Sequence, residues 1–224
     1  MLAEKPIEYR NKKLTFLNRE FYIDGGAHIP RKSTEFIAQQ YIDYVKSITS
    51  EVSVVDVGTG SGVLAVSVAQ ECTNVAKVYA IDLYEEALRV AAINVGKYGL
   101  GSRVELMRGD LLLPINDKHV DVILANLPFA DDKKMQLLRP EVREYEPLTG
   151  IYGGKDGFEV YVRLFDQLSD YKYFDGIKGV WVYCYKEHLQ QVKRYENTLF
   201  KDFKLKLVDD AFKEYYQHCL FYKS

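Results

Sequence analysis

VVDVGTGSGVLAVSVA, residues 54 to 69 of a 224-residue chain, sets apolar runs on either side of a turn built from alternating glycines. The first run ends at Asp56 and Val57 and predicts a buried strand. Gly58, Gly60 and Gly62 then predict a tight turn, since glycine accepts positive φ and lets the backbone come close to a ligand. The helix that follows opens with free amides, which suit a polar or anionic group. A dinucleotide fingerprint would place its third glycine at position 63, where Val63 stands. Asp56 just before the turn would repel a pyrophosphate and suits a ligand with positive charge. Thr59 and Ser61 add hydroxyls to the same turn.

Outward from this turn, short β-branched runs alternate with longer helical patterns. Strands are expected at 53–57, 76–82, 103–108, 120–125 and 179–185, with helices at 62–71, 84–98, 157–171 and 186–199. Two further strands, 203–209 and 216–222, are separated by too few residues for a parallel crossover, so the last should run antiparallel. The expected fold is α/β, a doubly wound, mostly parallel seven-stranded sheet, whose ligands bind at the carboxyl ends of the strands. Residues 1–50 read as a cover, a hairpin in LTFLNREFYID and a helix from Ser33 to Lys46. Residues 51–224 read as the core of one domain.

Composition narrows the partners. The chain is 47% hydrophobic and 28% charged with a net charge of −2, which suits a buried core and announces no basic nucleic-acid or membrane face. Cys72, Cys184 and Cys219 lack CxxC spacing, and the four histidines are scattered. No metal site or disulfide framework is therefore expected, and a reducing cytoplasm is the simplest setting. No apolar stretch reaches the roughly 18 residues of a membrane span.

Two more acids close strands beside the turn. Asp82 is placed to hold ribose hydroxyls, and Asp110, followed by Leu111, could meet an adenine-like amine while Leu111 covers the ring. The pattern Asp56, Gly58-Thr59-Gly60-Ser61-Gly62, Asp82 and Asp110 resembles the cofactor site of the seven-stranded S-adenosylmethionine-dependent methyltransferases. After the fourth strand, Asn126-Leu127-Pro128-Phe129 resembles the (Asp/Asn)-Pro-Pro-(Tyr/Phe) motif of members that methylate planar nitrogens. The resemblance implies that the Asn126 side chain and a backbone carbonyl accept hydrogen bonds from an amide or aromatic amine while Phe129 lies against its flat face. Leu127 departs from the motif, which has proline there, but keeps its carbonyl.

The lead-in, through Pro6, Tyr9, Ile29, Pro30, Arg31, Thr34 and Glu35, is similar to that of the release-factor glutamine methyltransferases. So is a later segment, through Tyr145, Glu146, Pro147, Gly153, Gly154, Asp156 and Gly157. This implies methyl transfer to the side-chain amide of an exposed glutamine in a protein, a translation factor or a ribosomal protein. That family carries an N-terminal helical docking domain, whereas this sequence opens near the catalytic part. The alternatives are an adenine amine in RNA or DNA and a cofactor-binding partner subunit with weak catalysis. Residues 127–156 are expected to form a lid or binding loop and Asp156 to cap the next helix; for Arg31 and Glu35 the plain alternative to a place in the family lead-in is a surface pair.

Overall fold

The computed structural model describes residues 3–209 and 214–223. A short helix α1 (Ile7–Asn11) leads into a hairpin of β1 (Leu14–Phe16) and β2 (Arg19–Phe21), and α2 (Lys32–Ser47) follows. The alternating core runs β3 (Val52–Val57), α3 (Val63–Glu71), β4 (Val75–Asp82), α4 (Glu85–Lys97), β5 (Val104–Arg108) and β6 (Val122–Ala125). Two short helices, α5 (Asp132–Gln136) and α6 (Pro140–Tyr145), precede α7 (Glu159–Ser169), β7 (Gly179–Tyr185), α8 (Leu189–Glu196), β8 (Lys204–Val208) and β9 (Tyr216–Tyr222).

Seven strands form one sheet in the order β5-β4-β3-β6-β7-β9-β8. Every pair among the first five is parallel, and β9 runs antiparallel to both neighbours, as expected from its short connection. The strand β3 is buried almost throughout, with Val54 and Val55 at 0% exposure, because helices cover both of its faces. One core joins the hairpin, α2 and α3 to the sheet. The other gathers Tyr161, Leu164, Phe165 and Leu168 of α7 against the opposite face, an i, i+3, i+4, i+7 stripe. Residues 1–50 were read as a cover, and Ile37, Tyr41 and Val45 of α2 lie in the first core. Among the described residues, no helix is long and apolar enough to cross a membrane.

The segment read as an open loop between β6 and α7 differs from that reading: it carries α5, α6 and a 3₁₀ turn at Leu148–Gly150. Its helices are five and six residues long, and α6 buries only Val142. So short and polar a pattern gives little periodicity to read.

The register sets the site. Val57 pairs with Ile81 on one side and with Ala125 on the other, so β3, β4 and β6 end level. Strand order reverses between β3 and β6, and the crevice outside that reversal is where such sheets bind ligands.

Candidate functional site

Beyond the level strand ends lies a cavity of about 790 Å³, lined in part by Gly58, Gly60, Asp82, Asp110, Asn126 and Pro128. Its floor is the glycine turn. Gly58, Gly60 and Gly62 have φ of +72°, +55° and +79°, values that side-chain-bearing residues rarely adopt. A Cβ on Gly60 would meet nothing within 4 Å, so this glycine leaves open space at the cavity. One on Gly58 would lie 2.9 Å from Leu127 Cδ2, and one on Gly62 would lie 3.0 Å from Ala91 Cβ of α4. Gly62 therefore serves helix packing and is not a lining residue, contrary to the expectation that all three glycines face the ligand.

Hydrogen bonds fix this turn from every side. The amides of Gly58 and Thr59 donate to the Ile81 carbonyl at 2.9 and 2.8 Å. Gly60 N donates to Asp82 Oδ2 at 2.9 Å. Asn94 of α4, fully buried, donates to the carbonyls of Ser61 and Tyr22 and accepts the Tyr22 amide, which ties the turn to the N-terminal hairpin. Sequence reasoning missed Asn94; a polar residue on the buried face of a helical pattern was the available signal.

Asp56 corrects a second expectation. It does not line the cavity: it is 0% exposed, and its Oδ2 accepts the Thr59 hydroxyl at 2.6 Å and the Ala65 amide at 3.2 Å. Its Oδ1 has no hydrogen-bond partner. Burial pushes the carboxyl up to about 6, against the pull of the Thr59 and Ala65 bonds. Among the described residues no cation is paired with it behind the turn, a setting that favours positive charge in the cavity.

The other two acids do line the cavity. Burial raises the Asp82 carboxyl above its ordinary value although Tyr84 N, at 3.0 Å, and Gly60 N donate to it. Asp110 is paired with Arg163 and accepts from Gln167 at 3.1 Å, both on α7. Leu111, 7% exposed, follows at φ +51°.

Asn126 and Pro128 line the opposite wall. Leu127, 3% exposed, is clamped between Gly58 and Tyr161, whose hydroxyl accepts the Leu127 amide at 3.2 Å. That hydroxyl also reaches the Ala125 carbonyl at 3.3 Å and the Tyr183 carbonyl. Burial holds it well above its ordinary pKa, so it stays protonated. A Cβ on Gly153 would lie 2.6 Å from Phe129 Cα, and one on Gly157 would lie 2.5 Å from the Phe129 carbonyl. The glycine segment before α7 thus lies directly on the backbone after Asn126. Asp156 was expected to cap α7, but α7 begins at Glu159 with Phe158 at its cap position, and Asp156 Oδ1 instead accepts the Phe158 amide at 2.9 Å in the turn ahead of the helix.

Phe129 does not join the cavity lining. Its ring stands edge-on to Tyr185 at 4.8 Å and to Tyr216 at 6.0 Å, so rings from β7 and β9 hold it where a flat substrate face was expected. The alternative of an Arg31–Glu35 surface pair does not hold: Arg31 pairs with Glu146 of the later segment, while Glu35 pairs with Lys32. Glu146, with a side chain 1% exposed, lies 2.6 Å from His28 Nδ1 and accepts the Ile29 amide at 3.1 Å. Burial would raise its carboxyl, but His28, Arg31 and the Ile29 amide outweigh it and hold the group below the usual carboxylate range. The two segments that resemble the glutamine methyltransferases are therefore joined through one buried carboxylate.

Comparison with known proteins agrees with this geometry. Residues 35–140 match the methyltransferase small domain. A release factor glutamine methyltransferase of Dictyoglomus turgidum is 30% identical over 95% of this chain and 73% of its own length. One from Bacillus subtilis is 38% identical over 73% of this chain, which spans 57% of that relative. Among solved structures, a ribosomal protein L11 methylase from Lactobacillus delbrueckii subsp. bulgaricus shares the fold with a TM-score of 0.62 at 20% identity, covering 90% of this chain and 84% of the other. With the strand-end turn, the Asn126 wall and the joined segments in one crevice, the chain belongs to the release factor glutamine methyltransferase family.

Proposed function

We propose that this chain transfers the methyl group of S-adenosylmethionine to the side-chain amide of a glutamine in a protein, with a translation release factor as the first acceptor to try. The observation that carries this reading is the level ending of β3, β4 and β6, which opens the glycine turn and the Asn126 peptide into one cavity.

The residues fit the cofactor. The open space over Gly60 admits close approach, Asp82 has lone pairs left for ribose hydroxyls, and the uncompensated Asp56 carboxylate favours a cation. Asp110 and Leu111 stand where the adenine would lie. S-adenosylmethionine supplies a methyl group activated by the sulfonium.

The chain's own work is on the acceptor. An amide nitrogen is a poor nucleophile because its lone pair is delocalised into the carbonyl. Accepting its two hydrogens, on the Asn126 side-chain oxygen and the Leu127 carbonyl, turns the lone pair toward the methyl and stabilises the developing positive charge. The new N–C bond forms as the S–C bond breaks, and the nitrogen then releases a proton to water. We place this activity in the cytoplasm, consistent with three free, buried cysteines, and we take residues 1–50 as a cover of the same domain.

The test is transfer of labelled methyl from S-adenosylmethionine to a purified release factor, with mass spectrometry locating the mark, and a parallel reaction on extracted RNA. Label on a glutamine of the protein is the expected result. Label only in RNA transfers the assignment to an adenine amine, and cofactor binding with no label in either fraction would reduce the chain to a binding subunit.

A further inference from the structure

We infer that Tyr161 is a positioning residue for methyl transfer: its buried hydroxyl sets the Leu127 peptide, and with it the carbonyl that receives the acceptor amide, in place of the proline ring that the family motif carries at position 127. This rests on the acceptor role given to Leu127 above.

Two torsions aim the Leu127 carbonyl. The following Pro128 restricts ψ. A proline at 127 would lock φ through its ring and would bring no N–H. Leucine leaves φ free and adds an N–H, which at 3% exposure is withdrawn from water and needs a partner. Tyr161 meets both needs. Its oxygen accepts that N–H at 3.2 Å, while its own hydrogen is directed at the carbonyls of Tyr183 and Ala125. A hydroxyl whose hydrogen is so committed has its lone pairs left for the Leu127 amide.

The tether is stiff at both ends. Tyr161 is 0% exposed within the α7 core. The segment leading into α7 presses Gly153 and Gly157 onto the Phe129 backbone, where an added Cβ would lie within 2.6 Å of it. On the far side Leu127 lies against Gly58. The peptide plane is thus fixed by one hydrogen bond between two immobile supports, and removing that bond loosens φ without opening a hole in the core.

Tyr161→Phe keeps the ring and deletes the hydroxyl; Leu127→Pro deletes the N–H and restores the ring constraint. In wild type, Tyr161→Phe, Leu127→Pro and the double variant, we would measure methyl transfer to the release factor, calorimetric binding of S-adenosylhomocysteine, and hydrogen exchange at the Leu127 amide. Tyr161→Phe is expected to lower kcat roughly tenfold to a hundredfold, with KM for S-adenosylmethionine changed less than about twofold. In that background Leu127→Pro should bring kcat back to within about threefold of wild type. Leu127→Pro alone is the reference for the double variant: adding Tyr161→Phe to it should change kcat by less than about threefold, which keeps the test alive if Tyr161→Phe alone does not fold.

The bonds from Tyr161 to the Ala125 and Tyr183 carbonyls are untouched by Leu127→Pro. A loss of activity that proline does not repair would assign the hydroxyl to strand packing and overturn the inference, as would an unchanged kcat in Tyr161→Phe. Hydrogen exchange reads the tether without any acceptor. Faster exchange of the Leu127 amide in Tyr161→Phe supports the inference, and unchanged protection sinks it even if the release factor proves to be the wrong acceptor.

Discussion

The glycine-turn wall and the Asn126 wall of the cavity are held by different means. The turn is fixed by Asp56, which holds Thr59 and Ala65 close by in sequence, by the end of β4, which holds Gly58, Thr59 and Gly60, and by Asn94 of α4, which holds Ser61. The Asn126 wall is fixed from a distance, by Tyr161, which lies 34 residues from Leu127, and by the Gly153 to Gly157 segment. Its flank is joined to the lead-in by Glu146 and Ile29, 117 residues apart. The turn is thus coupled to β4 and α4, and the Asn126 wall to the packing of α7.

The largest effect expected is on the Asn126 wall. Asn126→Ala should lower kcat by roughly a hundredfold, the scale of removing one positioned polar group at a reacting centre. Binding of S-adenosylhomocysteine in calorimetry should hold, and a parallel loss of binding would mean that the two walls are not separable. Next comes Glu146→Ala. It strips partners from the Ile29 amide and Arg31 and should destabilise the protein by about 2 to 3 kcal/mol in chemical denaturation. That is less than breaking a fully buried pair, because Arg31 is within reach of water. The sign with pH follows from a carboxyl held below its ordinary 4.5. Its contribution is present above pH 4.5 and is lost as pH falls through the folded value, so wild type and variant should converge in acid; a constant gap would contradict the pairing.

Smaller effects should appear on the glycine-turn wall. Asp82→Ala should weaken S-adenosylmethionine binding by about 1 to 2 kcal/mol if its oxygens meet the ribose; an unchanged dissociation constant in calorimetry removes that role. Asp56 gives the smallest change, one of slope. A carboxyl raised from 3.8 to about 6 contributes stability below pH 3.8 and loses it as pH rises through 6, the reverse of Glu146. Denaturation midpoints of Asp56→Asn should lack that decline, and a decline identical to wild type would place its origin elsewhere.

This contrast also explains what the sequence disclosed. The spacing of residues 54–62 carries the strand, turn and helix pattern by itself, so all three were legible, and β7 was expected and found at 179–185. Asp56 was misplaced because spacing locates a residue at a strand end without saying which face of the turn it meets. The Arg31–Glu146 pair was not legible because the sequence offers only partners four apart on a helix as the alternative, and only the tertiary fold brings Glu146 to Arg31. Phe129 was given to the substrate because its neighbours Tyr185 and Tyr216 depend on the register between β7 and β9, which no local pattern specifies. The short helices α5 and α6 escaped because they offer one buried position between them, Val142.

The place of β9 bears on how the chain is made. Among the described residues strand β8 pairs with β9 alone, and β9 lies between β7 and β8. As residues leave the ribosome in order, β8 emerges first and has no strand to join until Tyr216–Tyr222 follow. Until then the edge of β7 opposite β6 stands bare, and the five parallel strands form an incomplete sheet. The final segment thus closes the sheet by insertion, and a nascent chain halted before it would present two unpaired edges to any chaperone or neighbouring polypeptide.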